Sequence, residues 1–236
     1  MRQIVLDTET TGRDADQGDR VVEIGCHELI DRRPTGRSFQ RYLNPDRDSH
    51  PKALEVHGLT SDFLADKPRI AEVVDDFLAF VAGAELIIHN AEFDVGFIDA
   101  ELARCGTHYG RLSDHVDAIT DTLLMARKLY PGQQASLNAL CRRFDIDISG
   151  RTLHGALLDA GLLLDVYLAM TSGQFDLGLE PAPAPMAARQ AALGARGRRR
   201  VRVVLASDSE RAAHVRRMAA IEKVSGLTLW PPRDEG

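Results

Sequence analysis

The chain has 236 residues, 44% of them hydrophobic and 27% charged, with a net charge of −6. This is the composition of a globular protein with a core, and no apolar run reaches the ~18 residues that span a bilayer. The start of the chain runs directly into an apolar strand rather than a signal peptide, so the expected location is cytoplasmic with no membrane association. Three cysteines form no CxxC pair, which predicts buried free thiols rather than zinc ligands or disulfides: Cys26, Cys105 and Cys141.

The charge is unevenly distributed. Residues 1–179 hold 18 basic against 29 acidic residues, a net charge of −11, whereas residues 180–236 hold 11 against 6, a net charge of +5. Because phosphate contacts dominate nonspecific binding to nucleic acid, the acidic part needs metal ions or a partner if it handles DNA.

The first third of the chain predicts an antiparallel meander of three strands. Residues 4–7 are a short apolar strand, residues 21–30 a second one, and residues 38–43 alternate as a third strand does. A turn is expected over residues 32–36, which contain Pro34 and Gly36.

From residue 70 onward the hydrophobic period changes to that of helices. Helices are expected over residues 70–81, 93–105, 119–130, 136–144 and 154–170, and a buried strand over residues 86–88. A meander followed by strand–helix alternation predicts an α/β domain with a mixed central sheet flanked by helices.

Near residue 173 the composition changes again. We predict a domain over residues 1–173, a flexible linker over 174–200 that begins with alternating Pro and Ala, and a C-terminal segment over 201–236. Within that segment we predict a strand-like run at 201–205 and a helix at 210–223. It is too short to form a core alone, so we expect this tail to fold on a partner.

Two acids end the first strand. Asp7 and Glu9 are two residues apart, so strand alternation places both side chains on one face. Carboxylates this close raise each other's pKa unless a cation lies between them. Two solvated acids at a strand end are an equally good interpretation of this pair taken alone.

Three further candidates lie near helix starts. Asp94 falls in the first turn of the helix after the strand at 86–88, where an acid can also simply complement the helix dipole. Asp159 interrupts an apolar run, and a buried charge there needs a partner. His154 lies five residues earlier, so the two converge only if His154 precedes the helix proper.

The set as a whole favours a metal-dependent hydrolase. Clustered carboxylates suit Mg²⁺ or Mn²⁺ rather than zinc, and two such ions can clamp the attacking and leaving oxygens of a phosphodiester. A histidine can take the proton from the attacking water.

The motifs at residues 7–12, 89–94 and 154–159 resemble those of the DEDDh family of 3′→5′ exonucleases. Within that family the chain is similar to the proofreading subunits of bacterial DNA polymerase III over nearly its whole length. The resemblance implies an RNase H-like exonuclease fold. It also implies that two divalent metal ions are bound by Asp7, Glu9, Asp94 and Asp159, with His154 as the general base.

The resemblance implies substrate contacts as well. His57 would contact the terminal nucleotide of a single-stranded or frayed DNA 3′ end, and Thr8, Thr10 and Thr11 would offer backbone or hydroxyl contacts beside it. Asp7, Glu9 and Asp159 would also touch the substrate. Some relatives carry a substrate-contacting glutamate where this chain has Lys52, which remains a candidate of opposite charge.

The partners that the resemblance implies are other subunits of the polymerase. Residues 201–236 would bind the catalytic alpha subunit, and a small theta-like subunit would bind the domain. Residues 174–179 resemble a sliding-clamp-binding peptide, with Gln174, Leu177 and Leu179 as its anchors.

Three other classes of protein would leave different marks in the sequence. A non-catalytic scaffold of a polymerase predicts loss of a catalytic acid, and none is lost. A free-standing RNA-trimming nuclease of the same family needs neither linker nor tail. A haloacid-dehalogenase-type phosphatase needs Asp where the second acid is Glu9.

Overall fold

The computed structural model describes residues 1–149, 153–172 and 206–226. The chain divides into two units, 1–175 and 176–236, which are described separately. The predicted linker, the clamp-like peptide at 174–179 and the strand-like run at 201–205 lie outside the described residues.

The first unit is built around a five-stranded mixed sheet. Its strands are β1 (Arg2–Thr10), β2 (Val21–Ile30), β3 (Arg33–Tyr42), β4 (Glu85–Ile88) and β5 (Ala118–Asp121), in the spatial order β3-β2-β1-β4-β5. The pairs β1–β2 and β2–β3 are antiparallel, and the pairs β1–β4 and β4–β5 are parallel. The predicted mixed sheet, with its initial meander, is confirmed.

Seven helices surround this sheet in the described part of the first unit. They are α1 (Pro51–His57), α2 (Ser61–Leu64), α3 (Ile70–Val81), α4 (Ala91–Cys105), α5 (Thr122–Leu129), α6 (Leu137–Arg143) and α7 (Ala156–Thr171). Two 3₁₀ turns, Thr107–Tyr109 and Leu112–Asp114, follow α4.

Two hydrophobic layers enclose the sheet, because successive residues of each central strand face opposite sides. Ile4 and Leu6 of β1 face α3 and α4, whereas Val5 between them faces α7. Helices α5 and α6 pack on α7 through a third cluster that includes the buried Cys141. Within the described residues the cysteines are free thiols, of which Cys105 is half-buried.

The expected helix over residues 119–130 is wrong at its start. Residues Ala118–Asp121 form β5, which pairs in parallel with β4, and the helix begins only at Thr122. Asp121 ends the strand and caps the helix by accepting hydrogen bonds from the backbone of Leu123 and Leu124. Ile119 and Thr120 are β-branched and suit a strand, but apolar spacing alone does not separate the two states.

The expected turn over residues 32–36 is shorter than predicted. It consists of Asp31 and Arg32, both with left-handed φ, and Ile30 pairs directly with Arg33. Pro34 is tolerated in the strand because β3 lies at the edge of the sheet. Helices α1 and α2 had no counterpart in the sequence-based prediction.

The second unit has one described helix, α8 (Asp208–Ser225), which confirms the helix expected at 210–223. It begins at a capping box formed by Ser207 and Glu210 and ends at the left-handed Gly226. None of its residues is buried. Among the described helices of both units, none is long and apolar enough to cross a membrane.

Sheet and helix approach each other closely at Gly25 of β2. A methyl group on this residue would overlap the backbone of Ala156 and Leu157 at the start of α7. The absence of a side chain therefore lets the first turn of α7 lie directly on the strand.

We expect Gly25→Ala to lower the free energy of unfolding by about 3 kcal/mol or more, because backbone rather than a flexible side chain must move. Gly96→Ala is the matched control, since nothing lies within 4 Å of the added carbon in the middle of α4. That change should stabilise the protein by about 0.5–1 kcal/mol. Urea denaturation measures both, and equal stability of the two variants would contradict this account of the contact.

Candidate active site

The acids of β1 lie where that strand leaves the core. Asp7 and Glu9 share the face of the sheet that α7 covers, because Val5 on that face packs against α7. Asp7 is half-buried and Glu9 is 9% exposed. The shared face expected from alternation is therefore present.

His154 precedes α7, as convergence with Asp159 requires. The helix begins at Ala156, and Asp159 lies in its first turn. His154 Nδ1 and Asp159 Oδ2 are 3.0 Å apart. The side chain of Asp159 is buried, whereas that of His154 is 40% exposed, so the ring links a buried acid to solvent.

Three of the predicted residues converge on one point. Glu9, His154 and Asp159 each offer a ligand atom, and these atoms lie within 4.8 Å of one another. Two carboxylates and an imidazole at this spacing are a donor set that can hold a divalent cation. Asp7 and Asp94 are not members of this three-residue group.

Asp94 approaches the site from the other side of β1. It lies in the first turn of α4, is buried, and accepts a 2.7 Å hydrogen bond from the Thr8 hydroxyl at Oδ1. Burial raises the pKa of Asp94 well above its ordinary value, and the hydrogen bonds from Thr8 oppose that rise. A cation close to this carboxyl would favour its charged form.

Asp121 is an acid near the site that the sequence-based reasoning missed. It accepts hydrogen bonds from the backbone N–H groups of Asn90 and Ala91, at 3.2 and 3.1 Å, and so holds the start of α4. An Asp immediately before a helix is an N-cap signal. That signal was hidden because the helix was expected to begin earlier.

A cleft of about 800 Å³ opens beside Glu9. The cleft is lined by Thr8, Thr10, Lys52 and His57. The residues predicted to contact the substrate therefore lie around one cleft. The exposed Lys52 stands at this cleft with its positive charge.

His57 is the buried imidazole of the cleft. Its Nδ1 accepts a 2.9 Å hydrogen bond from the backbone N–H of Leu59, which places the proton of the neutral ring on Nε2. That Nε2 makes no hydrogen bond within the described residues. Burial lowers the pKa of His57, and the backbone of Thr10 opposes this without the geometry of a full hydrogen bond. A neutral donor at the cleft wall is the result.

The threonine hydroxyls are already engaged in the protein. Thr8 donates to Asp94, Thr10 donates to the carbonyl of Gly12 at 2.6 Å, and Thr11 donates to Asp19 at 3.0 Å. Through these hydrogen bonds Thr8 holds the carboxyl of Asp94, and Thr10 holds the loop that follows β1.

Asp19, also missed from the sequence, holds the cleft loop together. It is buried and accepts from Thr11 and from the backbone of Asp14, and Arg47 and His50 lie at 3.2 and 3.3 Å. Burial raises the pKa of Asp19, but these hydrogen bonds and charges outweigh it and the net pKa is lowered. No sequence signal marks this residue, since Thr11 and Asp14 of its own loop meet Arg47 and His50 before α1 only in the folded chain.

Comparison with known proteins places these features in a family. The family profile described as "Exonuclease" matches residues 4–167. A "DNA polymerase III subunit epsilon" from Salmonella typhimurium is 47% identical over 97% of this chain and 97% of that protein. The protein of the same name from Haemophilus influenzae is 53% identical over 75% of this chain and 70% of that protein.

Solved structures agree with these matches. Exonuclease X in complex with 5′-overhanging duplex DNA is 28% identical, with a TM-score of 0.52 over 73% of this chain and 94% of that one. The nuclease domain of 3′hExo, a DEDDh family member bound to rAMP, is 16% identical with a TM-score of 0.59, over 72% of this chain and 92% of that one. The second likeness shows a common fold.

We expect Mn²⁺ to stabilise this protein through the acidic group. Mn²⁺ at about 100-fold above its dissociation constant adds about 2.7 kcal/mol, because the cation relieves repulsion between Glu9 and Asp159. Glu9→Gln should abolish most of this increase, whereas Asp62→Asn, an exposed acid of α2, should retain it. Thermal unfolding with and without Mn²⁺ measures the effect, and an equal shift in both variants would place the cation elsewhere.

Proposed function

This chain belongs to the exonuclease family and, within it, to the epsilon subunits of bacterial DNA polymerase III. On that basis we propose which residues carry out each part of the proofreading reaction. The protein is a 3′→5′ exonuclease that removes nucleotides from the 3′ end of DNA for a replicative polymerase. Hydrolysis of the terminal phosphodiester releases a deoxynucleoside 5′-monophosphate. The observation that supports the assignment of residues is the convergence of Glu9, His154 and Asp159.

Four carboxylates are proposed to hold two divalent ions, Mg²⁺ or Mn²⁺. Glu9 and Asp159 are the best supported, because their oxygens already lie within reach of one ion. Asp7 joins them from the same strand face, and Asp94 completes the set from α4. When bound, the metals neutralise phosphate charge and acidify the attacking water.

His154 is proposed as the general base. Asp159 Oδ2 lies 3.0 Å from Nδ1, which fixes the ring and leaves Nε2 as the nitrogen that accepts the proton from the water. The partial exposure of the side chain allows a water molecule to reach it. Asp159 thus has two roles, since it both orients the base and contributes to the metal site.

The cleft beside Glu9 is proposed to hold the terminal nucleotide. His57 offers a buried Nε2–H donor there, and the backbone at Thr8 and Thr10 offers further polar groups. Lys52 is proposed to contact the phosphate or sugar, because its charge suits an anion. A frayed, mispaired end enters such a single-strand site at a lower cost than a paired one, which gives selectivity for errors.

A net charge of −11 on residues 1–179 works against DNA binding by this part of the chain alone. Metal ions offset some of the repulsion at the site. The remainder is proposed to come from attachment to the polymerase, which raises the effective concentration of the 3′ end at the site.

We expect wild-type protein with Mg²⁺ or Mn²⁺ to shorten a 5′-labelled single-stranded DNA stepwise from its 3′ end. His154→Ala should reduce the rate by about 10²–10⁴-fold because the general base is lost, and Asp7→Ala and EDTA should abolish digestion. His108→Ala removes an exposed histidine of the 3₁₀ turn Thr107–Tyr109 and serves as the matched control. Denaturing gels measure the ladder. Failure of the wild type under both metals would favour a scaffold without catalysis.

The attachment to other subunits is proposed from the tail. Residues 201–236 are proposed to bind the alpha subunit, residues 174–179 the sliding clamp, and the domain a small theta-like subunit. The relatives are named as subunits of a polymerase, and the basic tail with its exposed helix α8 fits a segment that buries its surface on a partner.

Two variants separate the first two partners. A chain that lacks residues 201–236 should lose binding to the polymerase alpha subunit and keep binding to the clamp, whereas Gln174→Ala with Leu177→Ala should have the opposite effect. Gln190→Ala, in the same predicted linker, is the control for the peptide. Surface plasmon resonance against each partner gives the affinities. Clamp affinity unchanged by the double substitution would remove the peptide from the proposal.

A further inference from the structure

Glu23 of β2 is a buried carboxylate that the proposed mechanism does not use. It is 1% exposed and lies directly opposite Glu9 in the β1–β2 register. Side chains opposite each other in an antiparallel pair share a face and come within about 5 Å at Cβ. A second acid beside a catalytic one destabilises the sheet unless it has donors of its own.

Both oxygens of Glu23 have such donors. Oε2 accepts a 3.0 Å hydrogen bond from the backbone N–H of Ala156, and Oε1 accepts a 2.8 Å hydrogen bond from the side chain of Gln40. Gln40 lies diagonally across the β2–β3 pair and also donates to the Tyr42 hydroxyl at 3.2 Å. The carboxylate is therefore held between β3 and the start of α7.

The hydrogen bond from Ala156 lies, along the chain, between His154 and Asp159, the two residues of this segment that are proposed to act in the reaction. Ala156 is the first residue of α7, two residues after His154 and three before Asp159. A carboxylate at this point satisfies a terminal N–H of a 16-residue helix and faces the positive end of its dipole. A shift of this turn would move both His154 and Asp159.

Two neighbours on the same face of β2 complete the attachment. Gly25 allows the backbone of Ala156 and Leu157 to touch the strand, and His27 Nε2 lies 3.1 Å from the carbonyl oxygen of Leu157. Among Glu23, Gly25 and His27, only Glu23 accepts a hydrogen bond from an N–H at the start of α7. Of these three residues, Glu23 is therefore the one that ties this N–H to β2.

We propose that Glu23 is a positioning residue of the exonuclease reaction, whose carboxylate holds the first turn of α7 so that His154 and Asp159 converge with Glu9. The proposal rests on the roles given above to His154 and Asp159. It assigns no contact between Glu23 and the substrate or the metal.

The two hydrogen bonds of Glu23 can be removed by one variant and kept by another. Glu23→Leu leaves the Ala156 N–H and the Gln40 NH₂ without this acceptor. In Glu23→Gln the amide oxygen accepts from Ala156, and the NH₂ donates to Gln40 Oε1 once the Gln40 amide has rotated by 180°. The matched control is Glu28→Gln, another buried glutamate of β2, which is bound by Arg2, Thr35 and Arg37 instead.

We expect Glu23→Leu to lower kcat for single-stranded DNA by about 10–100-fold, as loss of a residue that orients metal ligands does, with little change in KM. Glu23→Gln, which keeps an acceptor for Ala156, should retain most of the activity. Glu28→Gln should lower the unfolding temperature and leave kcat unchanged. A kcat within twofold of the wild type in Glu23→Leu, or an equal loss in Glu23→Gln, would overturn the proposal.

Titration of Mn²⁺ alone, without DNA, separates this inference from the function. Calorimetry should give a dissociation constant about 10–100-fold weaker in Glu23→Leu and near the wild-type value in Glu23→Gln and in Glu28→Gln. If the wild type binds Mn²⁺ but does not digest DNA, the proposed function fails while the affinities still test the role of Glu23. Equal Mn²⁺ affinity in Glu23→Leu and wild type would show that α7 is positioned without this carboxylate.

Discussion

The backbone contact between Gly25 and the start of α7 is the constraint on which the rest of the site depends. The acids of β1 are held by sheet hydrogen bonds, but Asp159 and His154 belong to a different part of the chain. Only a helix that begins directly on β2 brings them to the same face as Glu9. A side chain at position 25 would separate the helix from the strand, and the distance between the carboxylates would then follow from packing elsewhere.

The clustering of carboxylates at this site is electrostatically unfavourable, but the same carboxylates are possible ligands for a cation. Burying like charges together is unfavourable, and each acid near the site is offset in its own way. Glu23 has two donors, Asp94 has the Thr8 hydroxyl and an elevated pKa, and Asp159 has His154 within hydrogen-bonding distance. We propose that a divalent cation completes this compensation at Glu9 and Asp159, whose ligand atoms lie within 4.8 Å of each other.

Polar contacts, more than apolar packing, shape the surroundings of the site. Asp121 holds the start of α4, Asp19 ties the loop after β1 to the segment before α1, and Thr10 binds the carbonyl of Gly12. Each contact joins segments far apart in sequence or stabilises a loop without a core of its own. The hydrophobic clusters set the layers of the domain, and these hydrogen bonds set the positions of its functional groups.

The sequence by itself determined the family and the mixed sheet, and it predicted Asp7, Glu9, Asp94, His154 and Asp159 as the catalytic set, because local period and motif spacing carry that information. It did not separate the strand Ala118–Asp121 from the helix that follows, since short apolar runs fit both states. Only the tertiary structure decided that Thr8 donates a hydrogen bond to Asp94 and that Glu23 accepts one from the start of α7. Those partners lie 86 and 133 residues away along the chain, and such pairings exist only once the sheet and helices have packed.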